Sequence, residues 1–152
     1  KGNITKESDK VIKRTRKVKS VGIDAKIDSF VKGYKKYGSP LTTKQITFVY
    51  NESVKMGLKP DLVLAVMALE SGWGKSHYCQ MRGNCFGYGY TDSGKVGNYE
   101  GDFYIVTEKI LNAYKKQGYG IRDAQTMASR GYNFNPSWVI KIDHIQGLFI
   151  NY

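Results

Sequence analysis

The strongest hydrophobic pattern in the chain is an unbroken run of eight apolar residues, 62–69, which ends at Glu70. A surface helix would carry polar residues on one side, and this run has none. Pro60 suits the first position of a helix and Gly72 suits its end, so the pattern predicts a helix that lies in the core. Glu70 is then a carboxyl group at the end of a buried helix.

Helix signals recur in five further segments and predict a mainly α chain. These helices are expected over residues 23–37, from Thr42 to about Lys55, from Asp102 to about Lys116, over about 122–130, and from Pro136 onward. Thr42 and Gln45 form a capping box, and Asn135 suits the cap of the last helix. Residues 83–101 contain six glycines among three tyrosines, a composition that favours a loop or a small hairpin region.

The position of Glu70 gives its side chain a candidate chemistry. Burial and the negative end of the helix dipole both disfavour an ionised carboxylate there, so both raise the pKa of Glu70. A carboxyl group with a raised pKa holds its proton near neutral pH and still donates it in a transition state. Glu70 is therefore a candidate general acid. The alternative is a helix-end glutamate that turns outward into water.

Two sequence motifs accompany this glutamate. The first joins Ala-Leu-Glu-Ser-Gly-Trp-Gly-Lys-Ser at 68–76 to Gly-Asn-Cys-Phe-Gly-Tyr-Gly at 83–89, and the second is Ala-Ser-Arg-Gly-Tyr-Asn-Phe-Asn-Pro-Ser-Trp at 128–138. In this order they resemble the glucosaminidase family of peptidoglycan hydrolases, glycoside hydrolase family 73, over roughly residues 60–150. The resemblance implies a lysozyme-like helical fold, with a small loop or hairpin region on one side of a substrate groove, and cleavage of the glycan strands of bacterial cell walls.

The resemblance also implies roles for particular residues. Glu70 matches the catalytic acid, and Tyr132 matches a tyrosine that lines the site near it. A second carboxylate is expected after the glycine-rich segment, where Glu100 is the choice, Asp92 and Asp102 are rivals, and attack by the substrate's own N-acetyl group is a further alternative. Core packing is the competing interpretation for each aromatic residue. The residues predicted to bind substrate are Trp73, Asn84, Phe86, Tyr88 and Tyr90.

Cys79 and Cys85 are the only cysteines, six positions apart. A disulfide between them is feasible in an oxidising compartment, and two free thiols packed near the groove are the alternative. Together with His77 they remain one ligand short of an ordinary zinc site. No cofactor and no metal ion are expected.

The chain has a formal net charge of +11, and much of the excess lies near its start. The first twenty residues hold eight Lys and Arg against two acidic residues. This composition predicts a flexible basic tail over 1–20, and the resemblance implies a lysozyme-like glucosaminidase domain over 21–152. The charge favours an anionic partner, and cell-wall polymers are favoured over nucleic acid. The longest apolar run is too short to cross a bilayer, so no membrane insertion is expected.

The resemblance, more than any local pattern, implies a hydrolase of peptidoglycan that cuts the glycan strand after N-acetylglucosamine. The expected place of action is extracellular or in the cell wall, as an autolysin or as a phage virion or lysis protein acting on a host wall. The alternatives are a lytic transglycosylase or muramidase on the same fold, and a non-catalytic module of a virion or secretion machine that binds cell wall or nucleic acid. The chain does not begin with Met, which indicates a mature fragment or a piece of a longer protein.

Overall fold

A computed structural model describes residues 5–16, 23–91 and 93–150, and the described residues are mainly helical. The predicted fold class, mainly α with a small hairpin, is confirmed. The two strands are antiparallel, with Tyr90 opposite Lys95 and Thr91 opposite Gly94. In chain order the elements are α1 (Lys6–Arg16), α2 (Ile23–Lys36), α3 (Thr43–Lys55), α4 (Pro60–Ser71), α5 (His77–Arg82), β1 (Tyr90–Thr91), β2 (Gly94–Lys95), α6 (Phe103–Gln117), α7 (Ala124–Ser129) and α8 (Pro136–Ile150).

The core is built around α4. Every side chain from Leu62 to Ala68 is at most 1% exposed, and the helix packs against α3 and α8. A helix that is apolar on all sides has to be covered on all sides, which is the position that the apolar run predicts. Gly72 ends the helix in the left-handed conformation, with φ of 55°. The acidic end of the run is thereby attached to a helix that is buried in the core.

Local capping explains where several helices begin. At α3 the Thr42 hydroxyl accepts from the Gln45 N–H at 3.0 Å, and the Gln45 side-chain oxygen accepts from the Thr42 N–H at 2.9 Å, so the predicted capping box is confirmed. At α8 the Asn135 side chain accepts from the Ser137 N–H at 3.0 Å. Such caps depend on residues close in sequence, which is why the sequence predicts them well.

The N-terminal basic segment differs from its expectation of a flexible tail. Residues 6–16 form α1, which packs against α3 and α6. Val11 and Ile12 are buried, at 5% and 4% exposure. Val11 and Ile12 are the only apolar residues of α1 and lie on one face with the buried Ser8, so the density of charge in this segment masked a short amphipathic signal. Residues 1–4 and 17–22 lie outside the described residues, and the boundary at residue 20 stays a prediction.

The sequence did not predict α5, because six residues are too few to show a helical period. Its local signal is Ser76, whose hydroxyl accepts from the Cys79 N–H at 3.1 Å. Within the part of the chain that the structure describes, no helix is both long and apolar enough to cross a membrane.

Candidate active site

Glu70 lies one residue before the end of α4, where its side chain leaves the core and meets solvent. Glu70 is exposed, and the protein atoms around its carboxyl group still desolvate it enough to raise its pKa. The indole Nε1–H of Trp138 donates a hydrogen bond to Oε2 at 3.0 Å, which favours the ionised form and offsets part of this rise. The pKa of Glu70 remains above its ordinary value, as a general acid requires.

A tight turn after α4 holds the end of the helix in place. The Ser71 hydroxyl donates to the Met67 carbonyl oxygen at 2.5 Å and accepts from the Gly74 N–H at 2.7 Å. The Trp73 N–H donates to the Ala68 carbonyl oxygen at 2.8 Å. Trp73 has φ of 62° and is the one non-glycine residue with positive φ among the described residues. Backbone strain of this kind persists only where the surrounding structure enforces it.

The side chain of Trp73 faces the helices rather than standing free in a groove. Its ring stacks on Tyr37 with centroids 4.5 Å apart and meets Tyr34 edge-on at 5.0 Å. Phe149 of α8 packs against it at 6.0 Å. Trp73 is half-buried, so these contacts explain its place by packing, and its predicted role in binding substrate stays a prediction.

Tyr132 follows α7 and lies close to the acid. Its hydroxyl forms a hydrogen bond with the hydroxyl of Tyr114, which is fully buried on α6. Its ring centroid is 5.3 Å from that of Trp138, the residue that binds Glu70. Burial and the charge of Glu70 both raise the pKa of Tyr132, so the phenol stays neutral. The structure brings Tyr132 into the surroundings of Glu70, as the resemblance implies.

The loop after α5 is organised from inside by Asn84. Its Nδ2 donates to the carbonyl oxygens of Tyr88 and Tyr99 at 2.8 and 3.1 Å, and its Oδ1 accepts from the Phe86 N–H at 3.1 Å. Asn84 and Phe86 are 0% and 1% exposed. The prediction that these two side chains bind substrate is therefore wrong for direct contact, because neither reaches the surface. They support the loop backbone instead.

That loop backbone approaches the acid at Gly87. Its φ is 64°, and a Cβ atom at this position would lie 3.9 Å from Glu70 Oε1. Cys79 and Cys85 form a disulfide, which joins α5 to the loop and confirms the feasible pairing. The disulfide and the bonds of Asn84 together restrict where the Gly87 backbone can lie.

The two ends of the glycine-rich segment meet. The Gly101 N–H donates to the Arg82 carbonyl oxygen at 2.9 Å. A Cβ atom on Gly83 would lie 2.2 Å from the Gly101 carbonyl oxygen, so this crossing requires glycine. Residues 84–100 therefore leave and rejoin the helical body at one point.

Glu100, the predicted second carboxylate, lies between two cations just before that crossing. Lys95 Nζ is 2.8 Å from its Oε2, and Arg82 Nε is 3.6 Å from its Oε1. The Lys95 hydrogen bond is the main cause that lowers the pKa of Glu100, so this carboxyl group is ionised at neutral pH. It lines a shallow cavity of about 490 Å³. The sequence missed both partners, because a salt bridge across a loop has no periodic signal.

Tyr88 and Tyr90 have different aromatic neighbours. Tyr88 is half-buried and packs edge-on against Tyr114, whose pKa is affected by the charge of Glu70. Tyr90 stacks on Tyr78 with centroids 4.5 Å apart and lines the Glu100 cavity. Both keep part of their surface exposed, so substrate contact stays a prediction for each.

Asp102 and Asp92 are the alternative candidates for the second carboxylate. Asp102 caps α6, where its Oδ2 accepts from the N–H groups of Tyr104 and Ile105 at 3.0 and 3.1 Å. That carboxylate has a structural use at the helix start. Asp92 lies outside the described residues. Within residues 5–16, 23–91 and 93–150, no cluster of three His, Cys, Asp or Glu side chains is arranged to hold a metal ion.

Comparison with known proteins identifies the family. The model of the glucosaminidase family, described as mannosyl-glycoprotein endo-beta-N-acetylglucosaminidase, matches residues 47–147. This span contains Glu70, Glu100 and Tyr132 and covers more than half of the chain. Comparisons with curated proteins and with solved structures give no match. The matched span and the helical fold built around Glu70 show that this chain belongs to the glucosaminidase family of glycoside hydrolases.

Proposed function

We propose that this domain hydrolyses the glycan strand of bacterial peptidoglycan and cuts after N-acetylglucosamine. The observation that carries the proposal is Glu70, an acid with a raised pKa that is open to solvent, lies beside a glycine-lined loop and falls inside the family match. Such a group donates its proton to the glycosidic oxygen as the bond from that oxygen to the anomeric carbon breaks. Proton donation lowers the barrier because the leaving group departs as a neutral hydroxyl.

The second half of the reaction needs a nucleophile for the anomeric carbon. Water attacks that carbon and passes one proton to a carboxylate, for which Glu100 is the proposed acceptor because Lys95 and Arg82 keep it ionised. Glu70, left ionised after the first half, takes a proton back from the solvent that reaches its side chain, and Glu100 releases the proton it accepted to solvent because its pKa is lowered. Tyr132 remains neutral throughout and is proposed to position the substrate next to the acid.

The choice of bond rests on similarity to the family. The segments 84–87 and 131–132 both resemble glucosaminidases, whose members mostly leave N-acetylglucosamine at the new reducing end. The net charge of +11 supports attraction to anionic wall polymers. The proposed place of action is outside the cell membrane, at the wall of the producing bacterium or of a phage host.

One digest distinguishes the proposal from its alternatives. Purified cell walls are incubated with the protein, the new ends are reduced with borohydride, and the sugars are analysed. Glucosaminitol is the expected product. Muramitol would make the protein a muramidase, and non-reducible anhydromuramyl ends would make it a lytic transglycosylase. Wall binding without new ends, on walls that a known muramidase degrades, would indicate a non-catalytic module. The Glu70→Gln variant is the blank for each measurement.

A further inference from the structure

Trp138 is buried in the first turn of α8, with 4% of its surface exposed. Its indole Nε1–H donates to Glu70 Oε2 at 3.0 Å, across 68 positions of sequence. The contact exists because α8 packs against α4. A buried indole N–H normally finds an acceptor, and here that acceptor is the candidate catalytic acid.

We infer that Trp138 is a positioning residue that fixes Glu70 Oε2 as a hydrogen-bond acceptor. The neutral acid therefore carries on Oε1 the proton that it donates. An indole N–H is a donor only. The oxygen that faces it is therefore the carbonyl-like oxygen of the neutral acid, because a hydroxyl oxygen accepts less well. The catalytic consequence of this arrangement rests on the proposed function, whereas the hydrogen bond itself does not.

The surroundings of the other oxygen agree with this assignment. A Cβ atom at Gly87 would lie 3.9 Å from Oε1, so the missing side chain leaves room in front of that oxygen. The indole itself packs against the ring of Tyr132, with centroids 5.3 Å apart, and the Tyr132 hydroxyl forms a hydrogen bond with that of Tyr114. Oε1 is thus the oxygen on the side of the loop, where a glycosidic oxygen has space to approach.

Among the described titratable side chains around Glu70, only Glu70 itself ionises in the pH range in which carboxyl groups titrate. Burial raises the pKa of Tyr114 on α6 and of Tyr132, and the negative charge of Glu70 raises both further. Both phenols stay neutral where carboxyl groups titrate. Burial and the Trp138 hydrogen bond are the causes of the pKa shift of Glu70 itself. A titration sensed by the indole of Trp138 therefore reports Glu70.

The first test uses the parent protein. The chain has two tryptophans, so its nitrogen-15 spectrum contains two indole N–H signals. During a pH titration, the Trp138 signal should move as Glu70 ionises, while the signal of Trp73, which stacks on Tyr37, stays in place. In Glu70→Gln the movement should disappear. A Trp138 signal that is flat in the parent, or that titrates identically in Glu70→Gln, overturns the inference whether or not the protein is an enzyme.

The second test measures turnover of the Trp138→Phe variant, which keeps an aromatic ring and removes the donor. We expect kcat to fall about tenfold, the size expected for a lost hydrogen bond to an ionisable group, with KM within about twofold. In the parent the Trp138 hydrogen bond lowers the pKa of Glu70, so its removal should raise that pKa. The alkaline limb of the pH profile should then move to higher pH. The matched variant Trp73→Phe should leave that limb where the parent has it, whatever it does to stability.

An unmoved alkaline limb in Trp138→Phe would show that the indole only packs, and would overturn the inference. If Trp138→Phe does not fold, as judged by its thermal melt, the titration of the parent protein decides the question. A parent protein that produces no new sugar ends would contradict the proposed function instead, and the nuclear magnetic resonance titration would still test the bond between Trp138 and Glu70.

Discussion

Two glutamates of the same chain have opposite protonation preferences because their neighbours differ. Desolvation raises the pKa of Glu70, whereas the cations Lys95 and Arg82 lower the pKa of Glu100. Carboxyl groups whose pKa values are moved apart are suited to divide acid and base roles between them. At the residue scale, the direction of each shift leads to a separate test.

Glu70→Gln should retain the fold and lose most turnover, by a factor of about 10²–10⁴, because the amide has a similar size but no acidic proton to transfer to the leaving group. The thermal melt should stay close to that of the parent. Asp143→Asn, which neutralises an exposed carboxylate on α8, is the matched control and should keep both melt and turnover. Wall-lysing activity of Glu70→Gln within a few-fold of the parent would show that another group is the acid.

Glu100→Gln should lose more activity than Asp92→Asn or Asp102→Asn. The pKa of Glu100 is lowered, so a parent enzyme that needs this carboxylate should keep its activity until the pH falls through that lowered value. Its pH profile then has an acidic limb, which the Glu100→Gln variant should lack. Asn caps helices nearly as well as Asp, so Asp102→Asn should melt like the parent. Pre-steady-state and pH-dependent rates on one soluble glycan provide the measurement. Equal, mild losses in all three variants would favour attack by the substrate's N-acetyl group or a lytic transglycosylase.

At the scale of elements, the sequence predicts what depends on near neighbours or on a long uniform pattern. The apolar run predicted the position of α4, and the capping residues predicted where α3 and α8 begin. The Trp138–Glu70 bond and the Arg82–Glu100 pair had no such signal, because packing of distant segments creates them. Motif similarity pointed to the segment around Asn84 but could not separate a side chain that supports the loop from one that meets substrate.

The disulfide makes a prediction at the scale of α5 and its loop. Cys79→Ser with Cys85→Ser should lower the free energy of unfolding by about 2 kcal/mol, as expected for a short closed loop, and should lower turnover because the Gly87 backbone is less restricted. Thermal melts with and without reductant are the measurement. The parent should become less stable in reductant, and the double variant should not respond. Equal turnover in the parent and the double variant would show that the loop needs no disulfide.

The whole molecule combines a packed helical body with a large positive charge. α1 contributes to both, since Val11 and Ile12 are buried while Lys6 and Lys10 are exposed. Long-range attraction to a polyanion falls off within about 10 Å at 0.1 M salt. The charge of α1 should therefore affect wall binding at low ionic strength, whereas the buried pair should affect stability at any ionic strength. The first helix therefore has two separable effects.

Substitution on the two faces of α1 should separate them. Val11→Ala with Ile12→Ala should lower the melting temperature, because truncation of a buried aliphatic residue typically costs about 1–5 kcal/mol. Lys6→Gln with Lys10→Gln should leave the melt unchanged and weaken binding to purified walls at low salt. Wall pull-down at two salt concentrations and a thermal melt measure both. A loss of wall binding that is equal at high and low salt would rule out the electrostatic explanation.

The crossing of Gly83 and Gly101 has a consequence for how this protein can evolve. Because residues 84–100 leave and rejoin the body at one point, insertions near the hairpin would not separate the helices that carry Glu70 and Trp138. Each doubling of such a loop costs only about 0.6 kcal/mol in closure entropy. The hairpin can therefore lengthen in relatives, and change the surface next to the candidate site, without displacing Glu70.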